Sequence, residues 1–330
     1  MVIGRRRLHQ TWANYRRLDR TAKSLPVLGL LAYAQGHRGI HVWQQARRYR
    51  NDLNLPINPL KTENPPVIDL LFVVAPKDFH TLPLAITSAL RHSVNPISKI
   101  NLITTTPGLK QAMSLMQALL LETPTAIYTE DEIVSSHTRA LLKSRFANRY
   151  GWILQQILIP TFVSTSSSAG VWVIDADTIM LEDRLLLDEF GNQVLTPSLE
   201  YHPPYYRFLT NHGVGRFPPN RTFVAHWMLM QPQISQSALA EISCSDGESL
   251  ARLIVNSAED SAAPICVDYE LYAQFMMENV RDKIRLARWS NLPVPLSVPG
   301  SLSDLETYEH RYRGYSSISI HSHLQTAVRR

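Results

Sequence analysis

Short apolar runs alternate with amphipathic stretches along the chain from residue 67 onward. The run Val67 to Val74 is apolar at nearly every position, as expected for a strand that is covered on both faces of a sheet. Similar short runs predict further strands at Lys99 to Thr104, Thr125 to Thr129 and Val171 to Ile174. These segments therefore read as the strands of one buried sheet.

Apolar residues recur at helical spacing between these strands, with one stripe from Leu82 to Leu90 and a second from Leu109 to Leu120. Thr138 to Pro160 is also helical in pattern, with an interruption near Tyr150 and Gly151. This alternation predicts an α/β fold with a mostly parallel sheet and helices on both faces. Such sheets bind ligands beyond the carboxyl ends of their strands.

The regular alternation fades after residue 190. A region rich in Pro, His and Tyr follows and predicts loop structure. A helix is predicted near Asp268 to Val280, and an irregular basic tail completes the chain. No internal repeat is visible.

The first 60 residues hold 11 Lys or Arg against 2 Asp or Glu, whereas the remainder holds 22 against 26. This imbalance predicts a basic helical extension over residues 1–60, followed by one domain over residues 61–330. The Pro- and Asn-rich segment Asp52 to Pro66 is predicted to be the linker. A basic arm can pack on its own domain, rest on an anionic membrane surface or bind nucleic acid. Nucleic acid is disfavoured because the arm lacks the interleaved aromatics and glycines of a known RNA-binding module.

The composition is that of an ordinary globular protein, with 330 residues of which 45% are hydrophobic and 18% charged. The two cysteines, Cys244 and Cys266, have neither zinc-site spacing nor the number that a disulfide framework needs. No secretory signal is expected after Arg5 to Arg7, and the longest apolar stretch, Leu25 to Ala34, is about half of a membrane span. We therefore expect a cytoplasmic protein, with the basic arm permitting peripheral attachment to the inner face of the membrane.

The strongest chemical signal is the segment Val171 to Thr178, where an apolar strand ends in Asp175 and Asp177, separated by one residue. Mg²⁺ and Mn²⁺ prefer oxygen ligands and are held in phosphate sites by one or two carboxylates. Such an ion stabilises the charge on a departing nucleoside diphosphate. A solvated turn is the alternative that needs no chemistry, and the position directly after a strand argues against it.

A second enzymatic interpretation is a haloacid-dehalogenase-like phosphatase, whose nucleophilic Asp follows an apolar strand in a DxDGT pattern. Here Thr178 follows the second Asp with no intervening Gly. The motif also lies in the middle of the chain rather than at the first strand. The fit to that class is imperfect.

Several blocks of the sequence resemble a known family: DLLFVVAPKDF from Asp69, RYGWILQQIL from Arg149, VIDADTIML from Val173, FVAHWML from Phe223 and VDYELY from Val267. The chain resembles nucleotide-sugar glycosyltransferases of the GT-A fold, and more closely a poorly characterised bacterial group with a DAD motif. The resemblance covers residues 67 to 325. It implies a Rossmann-related sheet, and only its DAD block is diagnostic of chemistry.

The resemblance implies that the loop after the first strand holds the nucleotide base and ribose. It also implies that the DAD block contacts the donor and that a histidine of the C-terminal region completes the metal site. These expectations name Ala75, Pro76, Lys77 and Asp78 for the nucleotide, Asp175 and Ala176 for the donor, and Asp175, Asp177 and His321 or His323 for the metal. An N-cap for the following helix is an equal alternative for Asp78.

Other polar residues are candidates from their positions alone. Arg149 lies on a basic helical segment and could neutralise diphosphate charge, and Gln155 or Gln156 could meet a sugar hydroxyl or a backbone carbonyl. An inverting transferase needs a carboxylate base, for which Asp268 and Glu270 are candidates. Helix capping is the structural alternative for both. The aromatic loop from Glu200 to Tyr206 and the pair His226 and Trp227 suit acceptor contacts.

The sequence therefore predicts transfer of a hexose from a nucleoside diphosphate sugar, UDP- or GDP-hexose, to a glycan or lipid-linked hydroxyl acceptor. Mn²⁺ or Mg²⁺ is the expected cofactor. The alternatives are the phosphatase and a non-catalytic carbohydrate-binding protein of the same fold, since fold alone does not fix function.

Overall fold

The computed structural model describes residues 51–52, 54–198, 200–257, 265–295 and 305–321. For His321 and Pro295 it describes the backbone only. The predicted basic extension, apart from its last residues, and His323 lie outside these ranges. The described residues form one compact unit.

The strands follow the predicted ones closely in the first half of the chain. Their bounds are β1 (Ile68–Val74), β2 (Ile97–Thr104), β3 (Thr125–Thr129), β4 (Val171–Ile174), β5 (Thr178–Met180), β6 (Gln193–Leu195), β7 (Trp227–Met230), β8 (Ile284–Leu286), β9 (Asn291–Pro295) and β10 (Ser317–His321).

The helices of the described residues fall between these strands. Their bounds are α1 (Leu82–His92), α2 (Leu109–Ala118), α3 (Ser136–Phe146), α4 (Tyr150–Ser164), α5 (Pro203–Asn211), α6 (Pro232–Glu241), α7 (Gly247–Ser257), α8 (Tyr269–Asn279) and α9 (Leu305–Arg311).

The central sheet of the described residues has the order β3-β2-β1-β4-β7. β3, β2, β1 and β4 are parallel, whereas β7 runs antiparallel to β4. The carboxyl ends of β1 and β4 and the start of β7 therefore meet at one edge. The predicted α/β class with a mostly parallel sheet is confirmed.

Helices cover both faces of this sheet, as predicted. Leu70, Phe72 and Val74 of β1 point toward α1 and α2. Leu71 and Val73 point the other way, into a larger core built with α3, α4, α6, α7 and α8. Because side chains alternate along a strand, both sides of β1 are buried, which accounts for its continuous apolar sequence.

The predicted helix over Thr138 to Pro160 is interrupted, as expected, between α3 and α4. The interruption begins at Ala147, whose φ of 43° lies in the left-handed region. α3 therefore ends at Phe146, and α4 starts afresh at Tyr150.

The prediction of loop structure beyond residue 190 is wrong, because the described residues there form α5, α6 and α7 before α8. The Pro, His and Tyr-rich part contains α5, which begins at Pro203. Proline is tolerated in the first turn of a helix because the missing N–H has no intrahelical partner there. A proline pair that suggests a loop by composition therefore starts a helix.

Residues of the predicted linker pack on the domain instead of standing free. Leu60 is buried against Leu185 and Ala287, and the Arg184 guanidinium donates to the Ile57 carbonyl at 2.6 Å. The predicted boundary at residue 60 thus lies inside a segment that belongs to the domain. Within the described residues, no helix combines the length and apolar character needed to cross a bilayer.

Asn95 joins the sheet to the segment that follows β5. Its side chain is fully buried. It donates to the Pro66 and Leu187 carbonyls at 3.0 and 2.8 Å and accepts from the Leu186 N–H at 2.8 Å. One amide thus satisfies backbone groups of both segments.

We expect Asn95→Ala to lower the free energy of unfolding by about 3 kcal/mol, because it leaves buried backbone groups without partners. Urea denaturation measures the loss. Ser114→Ala on the exposed side of α2 is the control and should stay within about 0.5 kcal/mol of the parent. A loss below about 1 kcal/mol for Asn95→Ala would contradict this role.

Candidate metal centre and cleft

The two aspartates of the DAD segment form a turn at the carboxyl end of β4. The Asp175 carbonyl accepts from the Thr178 N–H at 2.9 Å, and the Asp175 N–H donates to the His226 carbonyl at 2.9 Å. The first bond closes the turn between β4 and β5. The second ties the turn to the residue that precedes β7.

His226 completes a group of potential metal ligands with Asp175 and Asp177. One ligand atom from each of the three residues lies within 4.8 Å of the others, and no other such group of His, Cys, Asp or Glu occurs in the described ranges. Two carboxylate oxygens and one imidazole nitrogen form a donor set suited to Mn²⁺ or Mg²⁺. The residues present thus fit a divalent ion.

Both oxygens of the Asp175 carboxylate have partners. His226 Nδ1 lies 3.0 Å from Oδ2. Oδ1 accepts from Gln155 Nε2 at 3.3 Å and from the Tyr269 hydroxyl at 3.4 Å. These side chains come from α4, α8 and the loop before β7, so three separate elements fix one carboxylate.

The environment of Asp177 disfavours its charge. Burial, followed by the adjacent charge of Asp175, raises the pKa of Asp177 to about 7. Burial alone would lower the pKa of His226, but the hydrogen bond from its ring to Asp175 and the charges of both aspartates outweigh burial, so this pKa is raised. A second negative charge is therefore unfavourable in this turn without a cation, and a bound divalent ion would offset its cost.

The cluster lies in an open cleft of about 480 Å³. On the β1 side the cleft is lined by Lys77, Asp78, His80 and Thr81. The Thr81 hydroxyl donates to the Ala176 carbonyl at 3.0 Å, which joins the loop after β1 to the DAD turn.

Only some of the residues predicted for the nucleotide loop line the cleft. Lys77 and Asp78 line the cleft, whereas Ala75 and Pro76 precede the lining residues and begin a short 3₁₀ turn. Thr81 occupies the N-cap position of α1, so Asp78 is not that cap. Burial raises the pKa of Asp78, and the Lys77 ammonium opposes this rise.

The opposite side of the cleft is aromatic. Trp152 of α4 stacks on Tyr205 of α5 with ring centres 6.1 Å apart, and both line the cleft together with Glu200. Arg149 does not line it, and its guanidinium lies 4.5 Å from the centre of the Trp152 ring. Arg149 therefore supports this aromatic wall.

The adjacent glutamines of α4 have different partners. Gln155 donates to Asp175, as described above, while Gln156 Oε1 accepts from the Val267 N–H at 3.0 Å. Both line the cleft. Gln156 thus holds the segment that leads into α8.

Asp268 and Glu270, the two predicted base candidates, lie in different surroundings. Asp268 lines the cleft, and its Oδ1 accepts from the Tyr269 N–H at 2.6 Å and the Cys266 thiol at 3.2 Å. Burial raises the pKa of Asp268 to about 7 although these hydrogen bonds oppose it. Asp268 is also the N-cap of α8, so capping and exposure to the cleft coexist.

Glu270 is fully buried and is not among the residues that line the cleft. Its carboxylate accepts from the Tyr206 hydroxyl at 2.8 Å and from the backbone N–H of Phe223 and Val224 at 2.5 and 3.1 Å. Burial raises the pKa of Glu270 to about 7, against these hydrogen bonds. The geometry gives Glu270 a structural task rather than contact with a ligand.

The C-terminal histidines are placed only in part. His321 ends β10, and the preceding Ile320 N–H donates to the Asp177 carbonyl at 2.8 Å. The backbone of β10 therefore reaches the DAD turn, while the His321 side chain and all of His323 lie outside the description. Their role as ligands stays a prediction.

No protein-family model and no curated protein matches the chain. Among solved structures, mouse xyloside xylosyltransferase 1 in its apo form is similar at 12% identity, with 77% of this chain and 97% of that chain covered and a TM-score of 0.39. The mannosyltransferase Ktr4p from S. cerevisiae is similar at 11% identity, with 74% and 77% covered and a TM-score of 0.47. Both are sugar transferases by name, and both likenesses are too distant to decide the function of this chain.

Two residues beside Asp175 were not predicted for this role. Sequence analysis assigned His226 to acceptor contacts and gave Tyr269 no role. The signal for His226 is its position directly before the apolar run of β7. That signal points to the site only when β7 is known to be antiparallel.

The charge of the site predicts how stability depends on pH in the absence of metal. The pKa values of Asp177, Asp268 and Glu270 are raised to about 7, whereas such carboxyls titrate near pH 4 in an unfolded chain. Between about pH 5 and 7 the native state thus binds more protons than the unfolded state, and stability falls as pH rises. The melting temperature in EDTA should be higher at about pH 5.5 than at about pH 8.

Asp177→Asn should reduce this difference because it removes one of the titrating groups. Asp282→Asn, which changes an exposed carboxylate far along the chain from the DAD turn, should leave it intact. A melting temperature that rises between the two pH values would show that these carboxyls are not disfavoured as described.

Proposed function

We propose that this chain is a metal-dependent glycosyltransferase that moves a hexose from a nucleoside diphosphate sugar to a hydroxyl acceptor. The observation that carries the proposal is the group Asp175, Asp177 and His226 at the carboxyl edge of the sheet, inside an open cleft. Parallel α/β sheets bind their ligands at this edge. The donor set suits Mn²⁺ or Mg²⁺ together with phosphate oxygens.

When bound, Mn²⁺ or Mg²⁺ stabilises the negative charge that develops on a departing nucleoside diphosphate. Asp175, Asp177 and His226 would hold the ion. Gln155 and Tyr269 orient Asp175 by hydrogen bonds to its Oδ1. These partners reduce the rearrangement needed when a ligand arrives.

The two sides of the cleft suit different substrates. Lys77 on the β1 side has a largely exposed ammonium that attracts diphosphate oxygens, and Asp78 can accept hydrogen bonds from ribose hydroxyls. On the other side, Trp152 and Tyr205 offer apolar faces and edges to a sugar ring, and Glu200 offers a carboxylate. The donor, UDP- or GDP-hexose, is therefore assigned to the β1 side and the glycan or lipid-linked acceptor to the aromatic side.

Asp268 is the candidate base for the acceptor hydroxyl. It lines the cleft, and the Tyr269 N–H and Cys266 thiol both bind its Oδ1. With a pKa of about 7, the carboxylate can take up a proton near neutral pH, the range in which a base works best. This role applies to transfer with inversion, since a retaining enzyme needs no such base.

The phosphatase alternative is not favoured. In a DxDGT pattern a glycine follows the second aspartate, whereas here Thr178 stands at that position, is fully buried and has its hydroxyl 2.9 Å from the Ser319 hydroxyl. Thr178 is not among the residues that line the cleft. A carbohydrate-binding protein without turnover remains the second candidate, because the aromatic wall would serve it equally well.

A thermal-shift screen of UDP, GDP and their hexose conjugates tests the donor site. A ligand that binds the native state raises the melting temperature. We expect one nucleotide to do so with Mn²⁺ and not with EDTA, and we expect Asp177→Asn to abolish the shift. Asp282→Asn should shift like the parent.

If phosphate or a phosphatase transition-state mimic raises the melting temperature and no nucleotide does, the phosphatase interpretation replaces the transferase interpretation. Nucleotide binding without release of sugar or nucleoside diphosphate over long incubation would favour the non-catalytic protein. Chromatography of the reaction mixture distinguishes this outcome from transfer or slow hydrolysis.

The basic extension is assigned to an anionic membrane surface, which suits a lipid-linked acceptor. We expect the chain to sediment with phosphatidylserine vesicles at low salt, because each basic residue near such a surface contributes about 1 kcal/mol. Replacing Arg5, Arg6, Arg7, Arg16 and Arg17 with glutamine should lower the bound fraction. Equal sedimentation of parent and variant would remove the membrane role.

A further inference from the structure

His226 reaches the candidate metal centre from a loop rather than from a strand. This His226 loop, residues 221–226, leads directly into β7. A loop side chain holds a metal-binding position only if the loop backbone is fixed, because each free residue costs about 1–2 kcal/mol to order. The contacts that fix residues 221–226 therefore decide how well the imidazole is placed.

Glu270 fixes the middle of the His226 loop from inside the protein. Its Oε1 accepts from the backbone N–H of Phe223 and of Val224. Its Oε2 accepts from Gln274 Nε2 at 2.8 Å, and the same nitrogen donates to the Arg221 carbonyl at 2.9 Å. One turn of α8 thus holds three backbone groups of the loop.

Asp52, which lies in the segment before β1, fixes the start of the same loop. Its carboxylate accepts from Arg221 Nη2 at 3.0 Å and from Arg221 Nε at 3.3 Å. Asp52 is only 4% exposed. The Arg221 side chain is 30% exposed, so the pair is partly buried, and its two-pronged contact has a more defined geometry than a single-contact surface ion pair.

These contacts form one connected path from Asp52 to the site. Arg221 is held by Asp52 through its side chain and by Gln274 through its carbonyl. The backbone N–H groups of Phe223 and Val224 are held by Glu270. The carbonyl and the imidazole ring of His226 then both contact Asp175. Residues on this path bind no ligand themselves, but they set the position of one that can.

We propose that Asp52 is a positioning residue for the metal centre. Through Arg221, Asp52 holds the His226 loop and therefore His226 in place. This inference rests on the proposed metal function of Asp175, Asp177 and His226. It gives the segment before β1 a task at the site, although Asp52 lies outside the cleft. Asp52 itself belongs to the last ten residues of the predicted basic extension, residues 1–60.

The test compares Asp52→Asn with Asn58→Ala in the full chain. Asn58 fastens the same N-terminal segment elsewhere, donating to the Asp183 carbonyl at 2.9 Å and accepting from the Leu185 N–H at 3.2 Å. The described residues show no hydrogen bond between Asn58 and the His226 loop. Asn58→Ala thus loosens the segment without touching the path.

Two readouts are measured, neither of which is activity. The first is the Mn²⁺ dissociation constant, from the electron paramagnetic resonance signal of free Mn²⁺. We expect Asp52→Asn to raise it on the order of three- to tenfold, less than the loss of a residue that contacts a ligand directly. Asn58→Ala should leave it unchanged.

The second readout is hydrogen exchange of the Phe223 and Val224 amides in EDTA. Exchange should be faster in Asp52→Asn, by on the order of three- to tenfold, because the start of the loop is no longer held. Asn58→Ala should match the parent. Asp52→Glu, which keeps the charge, should recover much of the Mn²⁺ affinity and of the amide protection.

The inference is overturned if Asp52→Asn equals the parent in both Mn²⁺ affinity and amide exchange, or if Asn58→Ala changes both as much. If the parent binds no Mn²⁺, the proposed metal function fails on its own. Amide exchange then decides the positioning role: faster exchange in Asp52→Asn supports it, and equal exchange removes it.

Discussion

The cost of a charge on Asp177, buried and beside Asp175, is the constraint around which the site is built. Burial of Asp177, followed by the charge of Asp175 one residue away, raises the pKa of Asp177 and so disfavours its charge. The neighbouring side chains stabilise the Asp175 carboxylate by hydrogen bonds from a glutamine amide, a tyrosine hydroxyl and a histidine ring. The Asp175 carboxylate thus has hydrogen-bond partners without a metal, and a cation would add its own charge to oppose those of the two aspartates.

Much of the first half of the fold could be predicted because β1 and β4 are covered on both faces of the sheet, so that their sequences carry a continuous apolar signal. β3 and β4 agree with the predicted bounds, and the DAD motif marks the end of β4. The second half could not be predicted in this way. Its strands are mostly three to five residues long, and their pairing depends on segments far away in the chain.

The candidate base residues show the limit of sequence patterns at a site. Asp268 and Glu270 are equivalent by composition, since both are acidic and both lie at the start of one helix. Asp268 is the N-cap with non-helical backbone angles, whereas Glu270 lies in the first turn of α8, so their side chains leave the backbone in different directions. One therefore faces the cleft while the other is buried against Tyr206 and the His226 loop. The packing of α8 against its neighbours decides which of the two carboxylates faces the cleft.

The antiparallel direction of β7 decides which segment of the chain reaches the ligand edge of the sheet. In a wholly parallel sheet every loop at the ligand edge follows a strand, so altering it affects the connection to the next helix. Here the ligand edge receives the segment that enters β7, while the segment that leaves β7 lies at the opposite edge. The pairing of Ile174 with Trp227 sets the position of His226 along the edge of the sheet, so the register between β4 and β7 brings His226 beside Asp175.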